Sequence, residues 1–253
     1  MQKISAVIIS FNEANKIGPC LDSLQGVVDE IVVLDSFSTD ATPEICKAYG
    51  VHFFQQDWKG YGQQKNDANA LAHHDYILSV DADERLSDKL KHAILQAKSS
   101  GLHGVYKMSR LNNFYGKYLH HGITYPDTQH RLFNRKEVQW KQRVVHETID
   151  IPATVTIQFL QGDLLHDGTD TIKDHLNTIN KYTSLSAKAY FESGKRANFF
   201  NLWLNPAVAF IQGYIFKLGF LDGQTGYIVA KNIAFEVYLK YSKLLHLQQQ
   251  HKL

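Results

Sequence analysis

The chain has 253 residues but only two cysteines, Cys20 and Cys46. They are far apart and form no CxxC pair, so the pattern favours reduced core residues over a disulfide framework. The chain also lacks a large excess of charge of either sign, since the formal net charge is +2. No long basic block interleaved with aromatic residues is present, which argues against nucleic acid as a partner.

The apolar run at the N-terminus is short. It carries one positive charge, at Lys3, and stops at Asn12 and Glu13. This is too little for the apolar segment of a signal peptide, so we interpret the run as a buried first strand. We therefore expect a protein that is not exported and that works in the cytoplasm.

The first hundred residues alternate between strand and helix patterns. With 44% hydrophobic residues the chain can bury a full core as one domain, or as one domain with an appendage. After the first strand, the predicted strands are 31–34, 51–54 and 76–80, and the predicted helices are 15–24, capped by Asn15, 42–49, 63–71 and 87–98, opened by Ser87. This alternation predicts an α/β fold with a mostly parallel, doubly wound sheet.

The pattern changes after Gly104. Short aromatic-rich strands at 105–108 and 129–133 are typical of antiparallel additions to the sheet. A long helix is predicted from about Thr171, with apolar residues on one face. We place a boundary near residue 168, which separates a first domain of 1–168 from a helical C-terminal region of 169–253.

Two acidic clusters follow strand-like runs. Residues 76–80 end directly in the tetrad 81–84, Asp-Ala-Asp-Glu, and a second cluster spans Asp35 to Asp40. Ligands of open α/β sheets bind outside the carboxyl ends of the strands, so both clusters are expected at one pocket. That much negative charge needs a cation, and Mg²⁺ or Mn²⁺ completes its shell with phosphate oxygens. A nucleotide diphosphate is the expected ligand.

Residues 199–221 contain one charged side chain, Lys217. The length suits a membrane span, but polar residues are spread along it and its aromatic content is typical of the membrane interface. The pattern favours a helix lying in the membrane surface, with a buried helical hairpin and a membrane span as alternatives. The cations expected to face anionic lipid are Lys195, Arg196, Lys217, Lys231, Lys240 and Lys243.

The ordered motifs VIISFNE, VLDSFSTDAT, QQKNDA and SVDADE resemble the nucleotide-sugar half of a family 2 glycosyltransferase with the GT-A fold. This resemblance covers roughly residues 4–167. The later segments RLFNR, VHE, LLHDG, NKYTSLSA and GFLDGQTGY resemble the lipopolysaccharide-core β-1,4-glucosyltransferase branch.

The resemblance implies roles for residues of the donor site. Uridine contacts are implied for Phe11, Asn12, Glu13 and Asp35, with the Asp35 carboxylate accepting from the uracil. Asp40 would orient that loop.

The resemblance also implies how the diphosphate is held. Lys65 would reach the diphosphate, and Asp81 would lie near the ribose. Asp83 would bind the divalent cation, Mn²⁺ or Mg²⁺, and His166 would complete the metal shell. Arg131 or Arg143 could add positive charge at the leaving group.

Two carboxylates compete for the role of general base. Glu147, in VHE, occupies the slot where the family carries its catalytic acidic residue, and His146 is a further candidate for a role at the site. Asp127 follows a proline-fixed turn that also suits substrate positioning. The sequence favours Glu147 over Asp127.

The resemblance implies an inverting transfer of a hexose, glucose from UDP-glucose, to a heptose or other sugar of a lipid-linked core oligosaccharide. The enzyme would be peripheral on the inner face of the cytoplasmic membrane. A polyprenyl-phosphate glycosyltransferase is the alternative, although such enzymes append clear membrane spans and a phosphate acceptor needs no base. A non-catalytic nucleotide-sugar-binding module is the second alternative, and the retained set of acidic residues argues against it.

Overall fold

The structure is a computed structural model that describes residues 2–141 and 148–251. It divides into two compact units, each discontinuous in sequence. Unit 1 consists of Met1–Arg110 and Asp127–Asp167, and unit 2 consists of Leu111–Pro126 and Gly168–Leu253.

The segment 111–126 belongs to unit 2, although the sequence analysis placed it before the boundary. Lys117 Nζ donates a hydrogen bond to the backbone oxygen of Asp222 at 2.6 Å, and the His121 backbone N–H donates to Asp222 Oδ2 at 2.8 Å. These long-range hydrogen bonds join the segment to the C-terminal helices, and no local sequence pattern predicts them.

The structure contains eleven strands and seven α-helices within the described residues. The strands are β1 (Ile4–Ser10), β2 (Glu30–Asp35), β3 (His52–Gln55), β4 (Tyr76–Asp81), β5 (Glu84–Leu86), β6 (Val105–Phe114), β7 (Lys117–Tyr118), β8 (Asp127–Asn134), β9 (Gln139–Trp140), β10 (Ile149–Asp150) and β11 (Ile157–Thr169). The helices are α1 (Ile17–Leu24), α2 (Thr42–Ala48), α3 (Tyr61–Leu71), α4 (Asp88–Ser100), α5 (Ile172–Glu192), α6 (Phe199–Phe210) and α7 (Gly223–Gln250).

The main sheet of unit 1 has the strand order β3-β2-β1-β4-β8-β6-β11-β5. Strand β1 pairs in parallel with β2 and β4, and β2 pairs in parallel with β3. Strand β8 is antiparallel to β4 and β6, and β5 is antiparallel to β11. The predicted α/β fold, with a mostly parallel sheet, an antiparallel addition and a C-terminal helical extension, is confirmed.

The central strands are buried because helices cover both faces of the sheet. All six residues of β2 are buried, as are the first five of β4. Both cysteines are buried and unpaired, as predicted.

Local signals predicted some helix ends better than others. Ser87 Oγ accepts from Leu90 N–H at 3.3 Å and caps α4, as expected. The prediction that Asn15 caps the first helix is wrong, because α1 begins at Ile17 and Lys16 holds the cap position without a side-chain bond. Strand β5 was not predicted, since three residues after a turn carry no periodic signal.

The apolar segment 199–221 is not one regular helix. Helix α6 continues as a π-helix over Ile211–Phe216, and after a break a short 3₁₀ helix covers Gly219–Asp222. A Cβ atom on Gly226 would lie 2.1 Å from the backbone oxygen of Gly219, so the close contact between 3₁₀ helix and α7 requires glycine. Helix 199–216 and the helical stretch 219–250 are bent by 72° at this break.

Within the described residues, no single helix is both long and apolar enough to cross a bilayer, whereas the bent pair Phe199–Phe216 and Gly219–Gln250 together meets that length and composition.

The expectation that Lys243 faces lipid is wrong. Its Nζ donates to the backbone oxygen of Asn180, to Thr183 Oγ1 and to Ser184 Oγ, each at 2.8 Å. The ammonium group is therefore used inside unit 2.

Candidate active site

The two acidic clusters lie at the carboxyl edge of the parallel strands. In the register of the sheet, Ser10 of β1 pairs with Asp35 of β2, and Ile9 pairs with Asp81 of β4. Neighbouring strands are about 4.8 Å apart, so the two aspartates are about 10 Å apart across the end of β1. This edge brings together side chains that are 46 positions apart in the sequence.

Asp81 is held between two buried cations. Lys65 Nζ lies 2.8 Å from Asp81 Oδ1, and Arg131 Nη2 lies 2.7 Å from Asp81 Oδ2. Burial alone would raise the pKa of the Asp81 carboxyl, but the charges of Arg131 and Lys65 and their hydrogen bonds hold this pKa well below its usual range. Asp81 therefore stays ionised and fixed in position.

Glu84 lies beneath this pair and is fully buried. Arg131 Nη2 donates to Glu84 Oε1 at 2.6 Å, and Glu84 Oε2 accepts from the backbone N–H of Asp81 at 3.0 Å. Glu84 thus accepts hydrogen bonds both from the backbone of Asp81 and from Arg131, and these bonds stabilise the turn 81–84.

Within the described residues, the Arg131 guanidinium forms hydrogen bonds through one of its three nitrogens. Its Nη2 serves both carboxylates, whereas its buried Nε and Nη1 have no hydrogen-bond partner among the described residues. Buried donors are nearly always paired in folded proteins, and both of these nitrogens are buried, so an acceptor for them would have to lie inside the charge network.

Asp83 faces His166. The antiparallel pairing of β5 with β11 sets Glu84 opposite His166, which brings the imidazole beside the preceding Asp83. His166 Nε2 lies 3.2 Å from Asp83 Oδ2, and both side chains are partly exposed. The strand pairing therefore assembles these two predicted metal ligands.

The ion pair shifts both pKa values. Burial would raise the pKa of Asp83, but the hydrogen bond and charge of His166 lower it. Burial would likewise lower the pKa of His166, but the hydrogen bond and charge of Asp83 raise it. A carboxylate oxygen and an imidazole nitrogen at this separation are donors that Mn²⁺ accepts, and the carboxylate suits Mg²⁺, so the two residues fit a divalent cation.

Asp35 organises the turn after β2. Its carboxylate is fully buried and accepts from Ser10 Oγ at 2.9 Å, from Ser38 N–H at 2.7 Å and from Gln55 Nε2 at 3.2 Å. Ser38 Oγ donates a further bond at 2.5 Å. The observed partners of Asp35 are thus protein groups, and its contact with a uracil stays a prediction.

The turn after β1 is tied to the turn after β2. Asn12 has a φ of 55°, and its Oδ1 accepts from Thr39 N–H at 2.8 Å. Asp40 Oδ2 accepts from Ala14 N–H at 3.0 Å, and the backbone N–H of Glu13 donates to Thr42 Oγ1 at 2.8 Å. These bonds form the base of the candidate nucleoside site.

Two phenylalanines stand exposed beside this base. Phe11 is 56% exposed and Phe37 is 50% exposed, and Phe37 has a φ of 59°. Aromatic rings left in solvent next to a polar turn are suited to stacking on a flat ligand. Phe37 was not predicted as a site residue.

The structure describes one of the two candidate bases, Asp127, but not Glu147. Asp127 Oδ2 lies 2.7 Å from Arg110 Nη2, and its Oδ1 accepts from Gln129 Nε2 at 2.7 Å. Glu147, His146 and Arg143 lie outside the described residues, so their predicted roles stay predictions.

Two residues of this network, Arg110 and Trp140, were not predicted from the sequence. Arg110 links Asp127 to Glu84, with its Nη1 3.5 Å from Glu84 Oε1. Trp140 lies under Lys65, whose Nζ is 4.6 Å from the ring centroid. Neither residue belongs to a motif, and the only signal for Trp140 is a large aromatic residue in a short strand.

Replacing Arg131 by methionine should destabilise the fold by about 3–5 kcal/mol, because the change leaves two carboxylates without their shared cation. The free energy of unfolding in urea measures this. Lys136→Met is the matched control, since Lys136 Nζ pairs with Asp75 at 2.8 Å on the surface, where such pairs contribute at most about 1 kcal/mol. Equal losses in the two variants would contradict the assignment of a buried charge network.

The chain is similar to known glycosyltransferases along most of its length. The profile of the family described as Glycosyl transferase family 2 matches residues 5–161. A protein of Rhizobium meliloti (strain 1021) named lipopolysaccharide core biosynthesis glycosyltransferase LpsC is 30% identical over 94% of this chain and 93% of that protein. An uncharacterized glycosyltransferase of Rickettsia prowazekii (strain Madrid E) is 28% identical over 96% of this chain and 87% of that protein.

Solved structures resemble the chain less closely. S. aureus TarS 1–349 in complex with UDP aligns with 99% of this chain and 92% of that chain, at 14% identity and a TM-score of 0.49. Glucosyl-3-phosphoglycerate synthase from Mycobacterium tuberculosis, in complex with Mn²⁺, UDP and glucosyl-3-phosphoglycerate, covers 44% of each chain at 25% identity and a TM-score of 0.37. The profile match covers more than half of the chain, and LpsC matches nearly all of it, so the chain belongs to glycosyl transferase family 2 and is a glycosyltransferase.

Proposed function

We propose that this glycosyltransferase moves glucose from UDP-glucose, with inversion, onto a hydroxyl of a heptose or another sugar in a lipopolysaccharide or lipooligosaccharide core. The observation that carries the proposal is the pair of Asp83 and His166, which stands beside the ion pair of Asp81 with the buried Arg131 at the carboxyl edge of the sheet. The relative LpsC, named as a lipopolysaccharide core enzyme, supports the acceptor class.

The nucleoside binds at the turns after β1 and β2 in this proposal. Phe11, Asn12 and Glu13 contact the uridine, and Asp35 fixes the floor on which the uracil rests. The exposed ring of Phe11 and the hydrogen bonds that lock Asn12 to Thr39 support this placement.

Lys65 and Arg131 hold the diphosphate, and Asp81 lies between them and the ribose. The positive charge of both side chains beside Asp81 supports this role, because ammonium and guanidinium groups bind phosphate oxygens.

Asp83 and His166 would hold Mn²⁺ or Mg²⁺. The bound ion would supply Lewis-acid stabilisation of the charge that develops on the departing diphosphate. The protein contributes rigidity, because the pairing of β5 with β11 fixes both side chains before any ligand arrives.

Glu147 is the general base that removes the proton of the acceptor hydroxyl. The pairing of Asp127 with Arg110 supports this choice over Asp127, since the Asp127 carboxylate is already engaged by a guanidinium at 2.7 Å. Asp127 would instead position the acceptor side of the site through Arg110.

Asp83→Ala should lower the rate of glucose transfer by at least about a hundredfold, because the cation loses its carboxylate ligand. Release of UDP from UDP-glucose, with a heptose-containing oligosaccharide as acceptor and with or without a chelator, measures the rate. Asp88→Ala is the control, since the exposed side chain of that aspartate pairs with Lys91 on the surface of α4.

Three outcomes of this assay oppose the proposal. Near wild-type transfer by Asp83→Ala in chelator would remove the metal assignment. Transfer to a polyprenyl phosphate but not to the oligosaccharide would favour the alternative enzyme class. Manganese-dependent UDP binding without turnover on any acceptor would indicate a non-catalytic module.

Glu147→Gln should reduce kcat by about 10²–10⁴, the usual contribution of a general base, while leaving UDP binding intact. Asp127→Asn should have a smaller effect, expressed in the KM for the acceptor. Steady-state kinetics with both substrates separate the two. Full turnover by Glu147→Gln together with an inactive Asp127→Asn would reverse the assignment.

We further propose that unit 2 binds the surface of the cytoplasmic membrane from its inner face. Helix α6, all of whose residues the structure describes, has no buried residue. Its outward residues recur at helical spacing and continue into the π-helix, which defines the α6 stripe: Phe200, Trp203, Leu204, Val208, Ile211 and Ile215.

The exposure of the α6 stripe is extreme for apolar side chains. Phe200 is 75% exposed and Trp203 is 69% exposed. A contiguous apolar surface of this kind is rare on proteins that contact only water, and the stripe is not the core of a buried hairpin. Aromatic residues on such a helix are typical of the membrane interface.

Cations flank the α6 stripe. Lys195 and Arg196 precede α6 and Lys217 follows its π-helix, and all three are exposed. Lys231 Nζ lies 4.9 Å from the ring centroid of Phe210, so the charge sits beside the apolar surface. Positive charge around an apolar stripe matches a leaflet of anionic lipid.

Leu204→Ser should reduce partitioning of the full chain onto anionic vesicles by about tenfold, because an exposed leucine loses its transfer into the interface. Flotation with phosphatidylglycerol-containing vesicles measures this, and neutral vesicles isolate the contribution of charge. Leu95→Ser, at an exposed leucine of α4, is the matched control. Equal flotation of the two variants, or no flotation of the wild-type chain, would count against the membrane surface.

A further inference from the structure

A second cluster of possible metal ligands lies away from the donor site. Glu30 is the first residue of β2, His52 is the first residue of β3, and His73 follows α3. Because Glu30 and Asp35 are at opposite ends of one strand, the cluster is about 17 Å from the carboxyl edge at a rise of about 3.3 Å per residue. It belongs to the amino edge of the sheet, which the proposed transfer reaction does not use.

The sheet register explains why these residues meet. Val32 of β2 pairs with His52 of β3, and residues two apart on a strand point to the same face. Glu30 therefore lies on the same face as His52, offset by two residues along the strand. His73 reaches the same carboxylate from the segment after α3, and its backbone N–H donates to Glu30 Oε2 at 2.9 Å.

The three ligand atoms converge on one side of the Glu30 carboxylate. His73 Nδ1 contacts Glu30 Oε1, and His52 Nε2 lies 3.9 Å from the same oxygen. All three ligand atoms are within 4.8 Å of one another. Ligands bound at 2.0–2.2 Å to one ion are about 3.3 Å apart, so small rotations of the two rings would complete the geometry.

The carboxylate is already oriented for a ligand role. The Glu30 side chain is 4% exposed, and its second oxygen accepts from Ser5 Oγ as well as from the His73 backbone. Hydrogen bonds of this kind fix the direction of a metal-binding carboxylate and leave one oxygen for the ion. The exposed imidazole rings leave room for water in the remaining positions.

We propose that Glu30, His52 and His73 bind a divalent transition-metal ion, and that this ion is Zn²⁺. Two imidazoles and one carboxylate with open positions suit Zn²⁺, Ni²⁺ or Cu²⁺, whereas Mg²⁺ prefers an all-oxygen shell. The bound ion cross-links β2, β3 and the segment after α3, and it stabilises unit 1 without contacting the donor site.

Zn²⁺ binding to the chelator-treated full chain tests the proposal. The measurements are made in an Asp83→Ala background, so that the donor-site ligands do not contribute. ZnCl₂ should bind with one equivalent by calorimetry and raise Tm by about 5 °C at a hundredfold excess over Kd. MgCl₂ should leave Tm unchanged.

Adding His52→Ala and His73→Ala to this background should abolish the bound equivalent and the rise in Tm. His92→Ala, at an exposed histidine of α4, is the matched control and should keep both. His73→Gln serves as a second variant if the double change lowers the metal-free Tm. An unchanged stoichiometry and Tm rise in the histidine variants, or the absence of both effects before substitution, would overturn the proposal.

Discussion

The carboxylate of Asp81 lies against Lys65 and Arg131, and the geometry of the acidic turn depends on this contact. A strand end that carries three carboxylates within four residues would repel itself and would be costly to bury. The two cations neutralise Asp81, and Arg131 also pairs with the buried Glu84. Asp83 is the third carboxylate of the turn, and its partner is His166. The charge balance therefore separates the carboxylates that pair with Arg131 from the one that pairs with His166.

At the turn after β2, the carboxylate likewise stabilises the turn, while aromatic side chains are exposed to solvent. Asp35 uses its whole carboxylate to hold Ser10, Ser38 and Gln55, and it is not exposed. Phe37 of this turn and Phe11 of the turn after β1 both present exposed aromatic rings. A site whose floor is locked by its own hydrogen bonds loses little conformational entropy when a ligand binds.

In unit 2, helix α6 exposes large apolar side chains to solvent. The α6 stripe is exposed, whereas a small core that involves α5 and α7 contains Ala187, Ala197 and Leu244. Helix α7 approaches the 3₁₀ helix closely enough that Gly226 and Gly219 are in backbone contact. This close packing accompanies the 72° bend between 199–216 and 219–250.

The sequence by itself determined the alternation of strands and helices, the buried cysteines, and the acidic clusters at the ends of β2 and β4, because apolar periodicity and turn residues are local signals. It also indicated Asp83 and His166 as partners, though only through resemblance. Tertiary structure alone decided that Arg131 and Lys65 share Asp81, that Arg110 and Trp140 join the network, and that Glu30, His52 and His73 converge at the opposite edge. These contacts depend on strand order and register, and residues far apart in the chain meet only when the sheet has formed.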